Sequence, residues 1–213
     1  MRRFTRLLPL VAVLVPAVAF AQRSNERYAD TLSLASRNII SLGFGLTGAR
    51  DASTTGTQAT THATGELGYL GYEHYVHPQA AIDISAGVLS TDTFAQAGRS
   101  HVNTITPILF GVRYSPEPIA LSRTLRPFLS LAAGPYVHTV ADASDLIAAS
   151  STNETAAGAR FGAGADWFVA RHFMLRAEAD YHAVGSFEHP DALTEHASGF
   201  GFGLGMGFVW GGR

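Results

Sequence analysis

Between residues 37 and 210 large apolar side chains recur at every second position, and no stretch carries the 3.6-residue period of a helix. The alternation predicts eight strand segments: 37–48, 64–76, 80–90, 102–114, 126–140, 156–168, 173–184 and 196–210. The connections between them alternate in length. After the second and sixth segments come the short turns His77-Pro78-Gln79 and Ala170-Arg171-His172, and after the fourth a Pro-containing stretch from Ser115. After the odd-numbered segments come longer polar loops, at 49–63, 91–101, 141–155 and 185–195. Short turns at one edge and long loops at the other describe an antiparallel up-and-down meander.

The two faces of the segments differ sharply. The last segment sets Phe200, Phe202, Leu204, Met206, Phe208 and Trp210 against Gly201, Gly203, Gly205 and Gly207. The seventh sets Leu175, Ala177, Ala179 and Tyr181 against Arg176, Glu178, Asp180 and His182, and the sixth sets Phe161, Ala163, Ala165 and Trp167 against Arg160, Gly162, Gly164 and Asp166. A period of two does not say which face is inside. A soluble lipocalin-like barrel turns its apolar face inward, and would then leave the glycine row of the last segment in water, where it packs nothing. Turned into a narrow lumen, the same glycines leave room for Arg160, Arg176 and Glu178. Tyr75, Tyr114, Trp167 and Trp210 end alternate segments and so fall at one edge, with the parity of the apolar face. We read them as the periplasmic-side aromatic girdle of a membrane barrel.

Length then sets the size. A tilted membrane strand needs about 9–11 residues, so eight fit with ample loops, whereas a sixteen-stranded diffusion porin leaves almost no connections in a chain of 213 residues. An eight-stranded barrel has an interior that side chains just fill. The expected fold is therefore all-β: an eight-stranded antiparallel up-and-down transmembrane β-barrel.

Composition adds the address. Met1-Arg2-Arg3-Phe4-Thr5-Arg6 is a basic start, Leu7 to Phe20 is apolar and too short to span, and Ala19-Phe20-Ala21 is a small-x-small cleavage site. This predicts a signal peptide at 1–21, a periplasmic lead-in at 22–36 and the barrel at 37–213. The chain has no Cys, which excludes disulfide scaffolds and thiol enzymes. Its basic residues are all Arg and the net charge is −2, so no basic patch points to nucleic acid. The GxGxG runs near Gly199–Gly207 continue as strand rather than turning into a helix, which argues against a nucleotide cradle.

Arg126-Pro127-Phe128-Leu129-Ser130-Leu131-Ala132-Ala133-Gly134-Pro135-Tyr136, Gly162 to Phe168 and Phe173 to Tyr181 resemble the outer-membrane β-barrel domain family related to OmpX and the OmpA membrane domain. The resemblance covers residues 37–210. It implies a bacterial outer-membrane location with both termini periplasmic. The partners it implies are outer-membrane lipid and lipopolysaccharide, the barrel-assembly machinery during insertion, and an unidentified extracellular ligand of the loops. One departure is visible: barrels of this kind end on an aromatic, and here Gly211-Gly212-Arg213 follows Trp210.

The candidate chemistry lies in the lumen. Asp83, Arg113, Arg160, Asp166, Arg176, Glu178 and Asp180 share the inward parity, and Glu66 is assigned to the same charge network. Glu66 and Glu73 have opposite parity, so Glu73 falls at interface depth unless a bulge shifts the register. An ion-paired network plugging the barrel is the first reading and a rearrangeable gate for small ions the second. His62, His101, His138, His182, His189 and His196 fall in or beside the loop edge and are read as solvated loop residues, with a metal or pH-sensing cluster as the alternative. The rival from another class is a lipid A deacylase, also an eight-stranded barrel. Its motif places a Ser two residues after the catalytic His, whereas Ala183-Val184 follows His182 and His196-Ala197-Ser198 has no later acid. The expectation is a non-enzymatic surface or structural protein with no catalytic, cofactor or metal site.

Overall fold

In the computed structural model, residues 34–50, 63–96, 99–116, 124–142, 151–187 and 198–212 are described. The expected signal peptide and most of the lead-in lie outside them. The described residues contain strands and turns and no helix. The strands are β1 (Arg37–Arg50), β2 (Ala63–His77), β3 (Ala80–Val88), β4 (Ser90–Gln96), β5 (Arg99–Tyr114), β6 (Leu125–Asp142), β7 (Ser151–Ala170), β8 (Phe173–Val184) and β9 (Gly199–Gly211).

All pairings are antiparallel and, apart from β3 with β5, join chain neighbours, with β9 returning to pair β1 from Arg37↔Gly211 to Thr47↔Gly201. β3 and β4 both pair β5, β3 from Ala80↔Tyr114 and β4 up to Gln96↔Arg99. They form one stave interrupted at Leu89, whose N–H still donates to the Ile105 carbonyl at 2.8 Å. Eight staves thus close a ring with no free edge in its middle, which a bilayer demands because it cannot solvate unpaired backbone. The long segment 80–90 expected from the pattern is this interrupted stave.

The apolar face points outward. Phe44 is 62% exposed, Leu204 60% and Phe200 72%, and Ile82, Phe110, Val112, Leu129 and Phe161 are exposed alongside them. A water-soluble barrel would turn these inward. The interior is filled in three layers. At the short-turn end Leu34, Ile39, Tyr75, Ala81, Phe168, Met174 and Val209 form an apolar cluster, and Leu34 comes from the lead-in rather than from a strand. Toward the loop end Leu67, Tyr69, Leu89, Ile105, Leu109, Tyr136 and Phe187 form a second apolar cluster. Between the two lie the charged side chains.

Tyr69 supplies much of the filling. A methyl group added at Gly43 would overlap its ring, and its hydroxyl lies near the inward side of Gly205. The glycine face of β9 therefore accommodates Tyr69, with Asp180 beside Gly201 and Met174 beside Gly207, rather than Arg160, Arg176 and Glu178 as the sequence suggested. The reason is register: Arg176 and Glu178 sit opposite Gly205 and Gly203 but extend away toward partners on other staves.

Tyr75 corrects the girdle. It is fully buried in the lower cluster, and its hydroxyl shares a 3.2 Å hydrogen bond with Ser115 Oγ. On β2 the inward series is Leu67, Tyr69, Glu73 and Tyr75, while Leu70, Tyr72 and Val76 face out. Tyr72 takes the outward place instead: its ring lies 6.2 Å from Trp210, and its hydroxyl donates to Asn38 Oδ1 at 2.8 Å. Tyr114 is exposed, and Trp167 and Trp210 are half-buried, on the outward-facing series.

Candidate functional site

The alternation that turns Phe and Leu to lipid delivers a polar group to the lumen from almost every stave. β2 brings Glu73, β3 Asp83, β5 Arg113, β7 Arg160 and Asp166, and β8 Arg176, Glu178 and Asp180, each buried. The centre is a quartet of two guanidiniums and two carboxylates. Arg176 is held bidentately by Asp166, Nε to Oδ1 at 2.7 Å and Nη2 to Oδ2 at 3.0 Å, while its Nη1 donates to Glu73 Oε1 at 2.6 Å. Arg113 reaches the same two acids over longer distances, 3.3 Å to Glu73 and 3.4 Å to Asp166. Its guanidinium lies 3.8 Å from the centroid of the Phe128 ring, close enough for a cation–π contact. Side-chain exposure across the quartet is 1–2%.

Two formal positive and two formal negative charges cancel within the quartet. That balance is what lets charges persist where water is excluded, since an unpaired ion there costs several kcal/mol. The planar Arg176 fork fixes Asp166 more tightly than a point charge would. Farther along the lumen Arg160 Nη2 sits 3.4 Å from Asp83 Oδ2, and Ser130 Oγ donates to Glu178 Oε1 at 3.3 Å. Satisfaction is incomplete: Glu73 Oε2, Asp83 Oδ1, Arg113 Nε and Arg160 Nε are buried without a hydrogen-bond partner among the described residues.

Glu73 takes the place in the lumen that the sequence reading gave to Glu66. Glu73 is the lumen acid of β2. Glu66 pairs across with Leu46, a strongly exposed residue, and its own side chain lies outside the described residues. The parity of Tyr75 and Glu73 is the same, so the two corrections are one: β2 carries apolar residues on both faces, and the acid, not the aromatic, marks its inside. No bulge is needed, because β1 and β2 pair without a register shift from Asn38↔His74 to Thr47↔Gly65.

Two histidines expected as solvated loop residues face inward. His182 is buried, shares a 2.9 Å hydrogen bond through Nδ1 with the Tyr136 hydroxyl, and places Nε2 3.1 Å from Asp180 Oδ1 without hydrogen-bond alignment. His138 is buried against Phe187, their ring centroids 5.4 Å apart. The parity of each strand carried this signal: His182 continues the Arg176, Glu178, Asp180 row. His62, His189 and His196, and the side chain of His101, lie outside the described residues. Among the described residues no group of three His, Cys, Asp or Glu could hold a metal ion. Phe128, Ser130 and Tyr136 complete the site, and the charges alone did not point to them.

A closed antiparallel ring of strands is also the fold to which the comparisons with known proteins lead. The family model of the outer membrane protein β-barrel domain matches residues 7–208. The chain belongs to that family. Among solved structures it is similar to Ail, the attachment invasion locus protein of Yersinia pestis, in complex with the heparin analogue sucrose octasulfate. That match has a TM-score of 0.54 at 12% identity and covers 83% of this chain and 99% of that one. It is also similar to Neisserial surface protein A, with a TM-score of 0.54, 12% identity and 82% and 96% coverage. OprG from Pseudomonas aeruginosa gives a TM-score of 0.54 at 15% identity, covering 84% and 97%. At these identities the likeness shows the fold. No curated protein matches the chain in sequence. Family and fold together make this barrel an integral protein of the bacterial outer membrane.

Proposed function

We propose that the protein is a non-enzymatic, non-conducting outer-membrane barrel whose role is exercised at its surface, with residues 1–21 removed on export and both termini periplasmic. The observation that carries this reading is the three-layer lumen: a charge-balanced quartet, 1–2% exposed, between two apolar clusters. A path for ions must break all three. The apolar layers also keep water from the quartet, so its bonds are not competed away. Of the two histidines the sequence offered for a lipid A deacylase, His182 is buried in the lumen, away from the lipid face that chemistry needs, and His196 lies outside the described residues. A polysulfated sugar is bound in the Ail complex; the acidic excess of the present chain does not favour the same ligand here.

Planar-bilayer recording on the refolded chain lacking residues 1–21 tests the reading. The expected result is silence under voltage and across pH. Discrete openings that depend on either would establish the narrow gated pore instead. A lipid A deacylation assay on the same preparation is expected to release no fatty acid.

A further inference from the structure

Tyr114, Trp167 and Trp210 stand on the outward series at the short-turn edge of the lipid-facing band. A tilted strand climbs roughly 25 Å in ten residues, which is about the height of the apolar band of a membrane barrel. The opposite edge of the band therefore lies about ten residues up each strand. On β9 that position is Phe200, whose ring packs 4.8 Å from the ring of Tyr181 on β8. Aromatic rings are what a membrane interface favours.

The other side of the barrel meets the same level differently. On β5 the residue at that height above Tyr114 is Thr104, and on β7 Thr155 and Asn153 stand just beyond it above Trp167. Strand pairing sets these residues in two rows. Thr104 lies opposite Thr139 of β6, and Thr139 opposite Asn153; in the next row Thr106 lies opposite Val137, and Val137 opposite Thr155. All six face outward, Asn153 and Thr155 exposed and the rest half-exposed. Among the described residues no side-chain hydrogen bond is made by the four hydroxyls or by the Asn153 amide. In hydrocarbon such free polar groups carry a penalty of several kcal/mol, so the rows mark where the apolar band ends on this side. The backbone beneath them stays paired as far as His101↔Asp142 and Ala141↔Ser151, which holds the rows in a fixed array.

Chemistry narrows what this array can meet. Its described side chains carry no charge, and His138 and Glu154 on the same strands have the opposite parity. A phosphate is held by cationic donors, and these rows have none. A protein partner needs aromatic or large apolar anchors, and Val137 is the only apolar side chain in the rows. A hydroxyl both donates and accepts, and so does an amide. The array thus matches a ligand that is itself a surface of neutral hydroxyls.

We propose that Thr104, Thr106, Thr139, Asn153 and Thr155 form a docking surface for the neutral sugars of glycolipid headgroups in the outer leaflet. Continuity with the lipid-facing band favours a glycolipid over a free polysaccharide: the rows begin where the apolar band stops on the same face, at the depth where acyl chains hold a sugar. The inference rests on the surface role and the orientation proposed above, and names a partner for that role.

The test uses the chain lacking residues 1–21, refolded into vesicles of phosphatidylcholine alone, with lipid A, or with an equal amount of lipopolysaccharide that carries core sugars. Both leaflets hold the same lipid, so an error in orientation cannot produce a failure, and the bilayer recordings test the plugged lumen separately. The midpoint of the heat-induced mobility shift is expected to be about 2–4 °C higher with the sugar-bearing lipid than with lipid A. The triple variant Thr104→Val, Thr139→Val, Thr155→Val keeps β-branched side chains of the same shape at exposed strand positions. It should match wild type in phosphatidylcholine and in lipid A and lose the increment due to sugar. Asn153→Ala alone should lose part of it. An equal increment in wild type and both variants overturns the docking surface. A full rise with lipid A overturns sugar as the occupant, and the same rise from soluble core oligosaccharide added to phosphatidylcholine vesicles overturns the glycolipid as its source.

Discussion

Glu73 shows how much one side chain carries. Its Oε1 meets both Arg113 and Arg176, as Asp166 Oδ2 does from the other side of the quartet. Glu73→Gln leaves two cations to share Asp166, and breaking a buried pair from one side costs about 3–5 kcal/mol. Taking about 2–4 °C per kcal/mol for a chain of this size, the heat-modifiability midpoint should fall by roughly 6–20 °C. Arg176→Ala should fall at least as far, since it removes the bidentate partner of Asp166 as well; unchanged midpoints in both would mean that these groups face bulk-like water. Tyr75 offers a finer measurement. Tyr75→Phe removes the hydrogen bond to Ser115 and should cost about 1 kcal/mol, whereas Tyr114→Phe, on an exposed ring, should cost nothing that urea titration can resolve.

At the scale of the strand, β1 and β9 both carry glycine rows, yet the rows differ. An added Cβ at Gly43 falls on the Tyr69 ring, while one at Gly203 meets only ordinary contacts, 3.5 Å from the Phe44 carbonyl oxygen and 3.8 Å from Leu67 and Tyr69. Gly43→Ala should therefore cost about 1–3 kcal/mol by overpacking, and Gly203→Ala should be neutral. Pairing Gly43→Ala with Tyr69→Leu should recover part of the loss, which a double-mutant cycle would detect. The difference also shows what sequence could and could not disclose. In β8 and β9 the two faces have distinct chemistry, so parity alone gave Arg176, Glu178 and Asp180 as inward and Phe200, Phe202, Leu204, Met206 and Phe208 as outward; in the barrel the first three are buried and the last five exposed. In β2 Leu67, Tyr69 and Tyr75 point inward beside Glu73, while Leu70, Tyr72 and Val76 point out. Apolarity there does not discriminate, because an eight-stranded lumen needs rings to fill it as much as the bilayer does. Which glycines make room for which side chain depends on register across several staves, and a one-dimensional pattern contains no register. The contact of Arg37 with the Arg171 carbonyl was hidden for the same reason: the two residues are far apart in sequence, and only the closed ring brings them together.

For the molecule as a whole, the proposed plug makes the three lumen layers redundant as barriers but additive as sources of stability. Leu34 is fully buried in the lower layer although it precedes the first strand. Leu34→Ala should cost about 2–5 kcal/mol and yet leave bilayer recordings silent, because the charge layer and the upper cluster still close the path. A leak from this variant alone would mean that the lower layer is the sole barrier.

The β1–β9 pairing joins the first strand to be exported to the last, along eleven residue pairs. Until β9 arrives, every shorter product presents two raw strand edges whose N–H and C=O groups a bilayer will not accept. Ring completion is thus a late, long-range event with a large loop-closure cost, and no intermediate length is a smaller version of the finished protein. The chain carries its own completeness check, written into the order in which its two ends must meet.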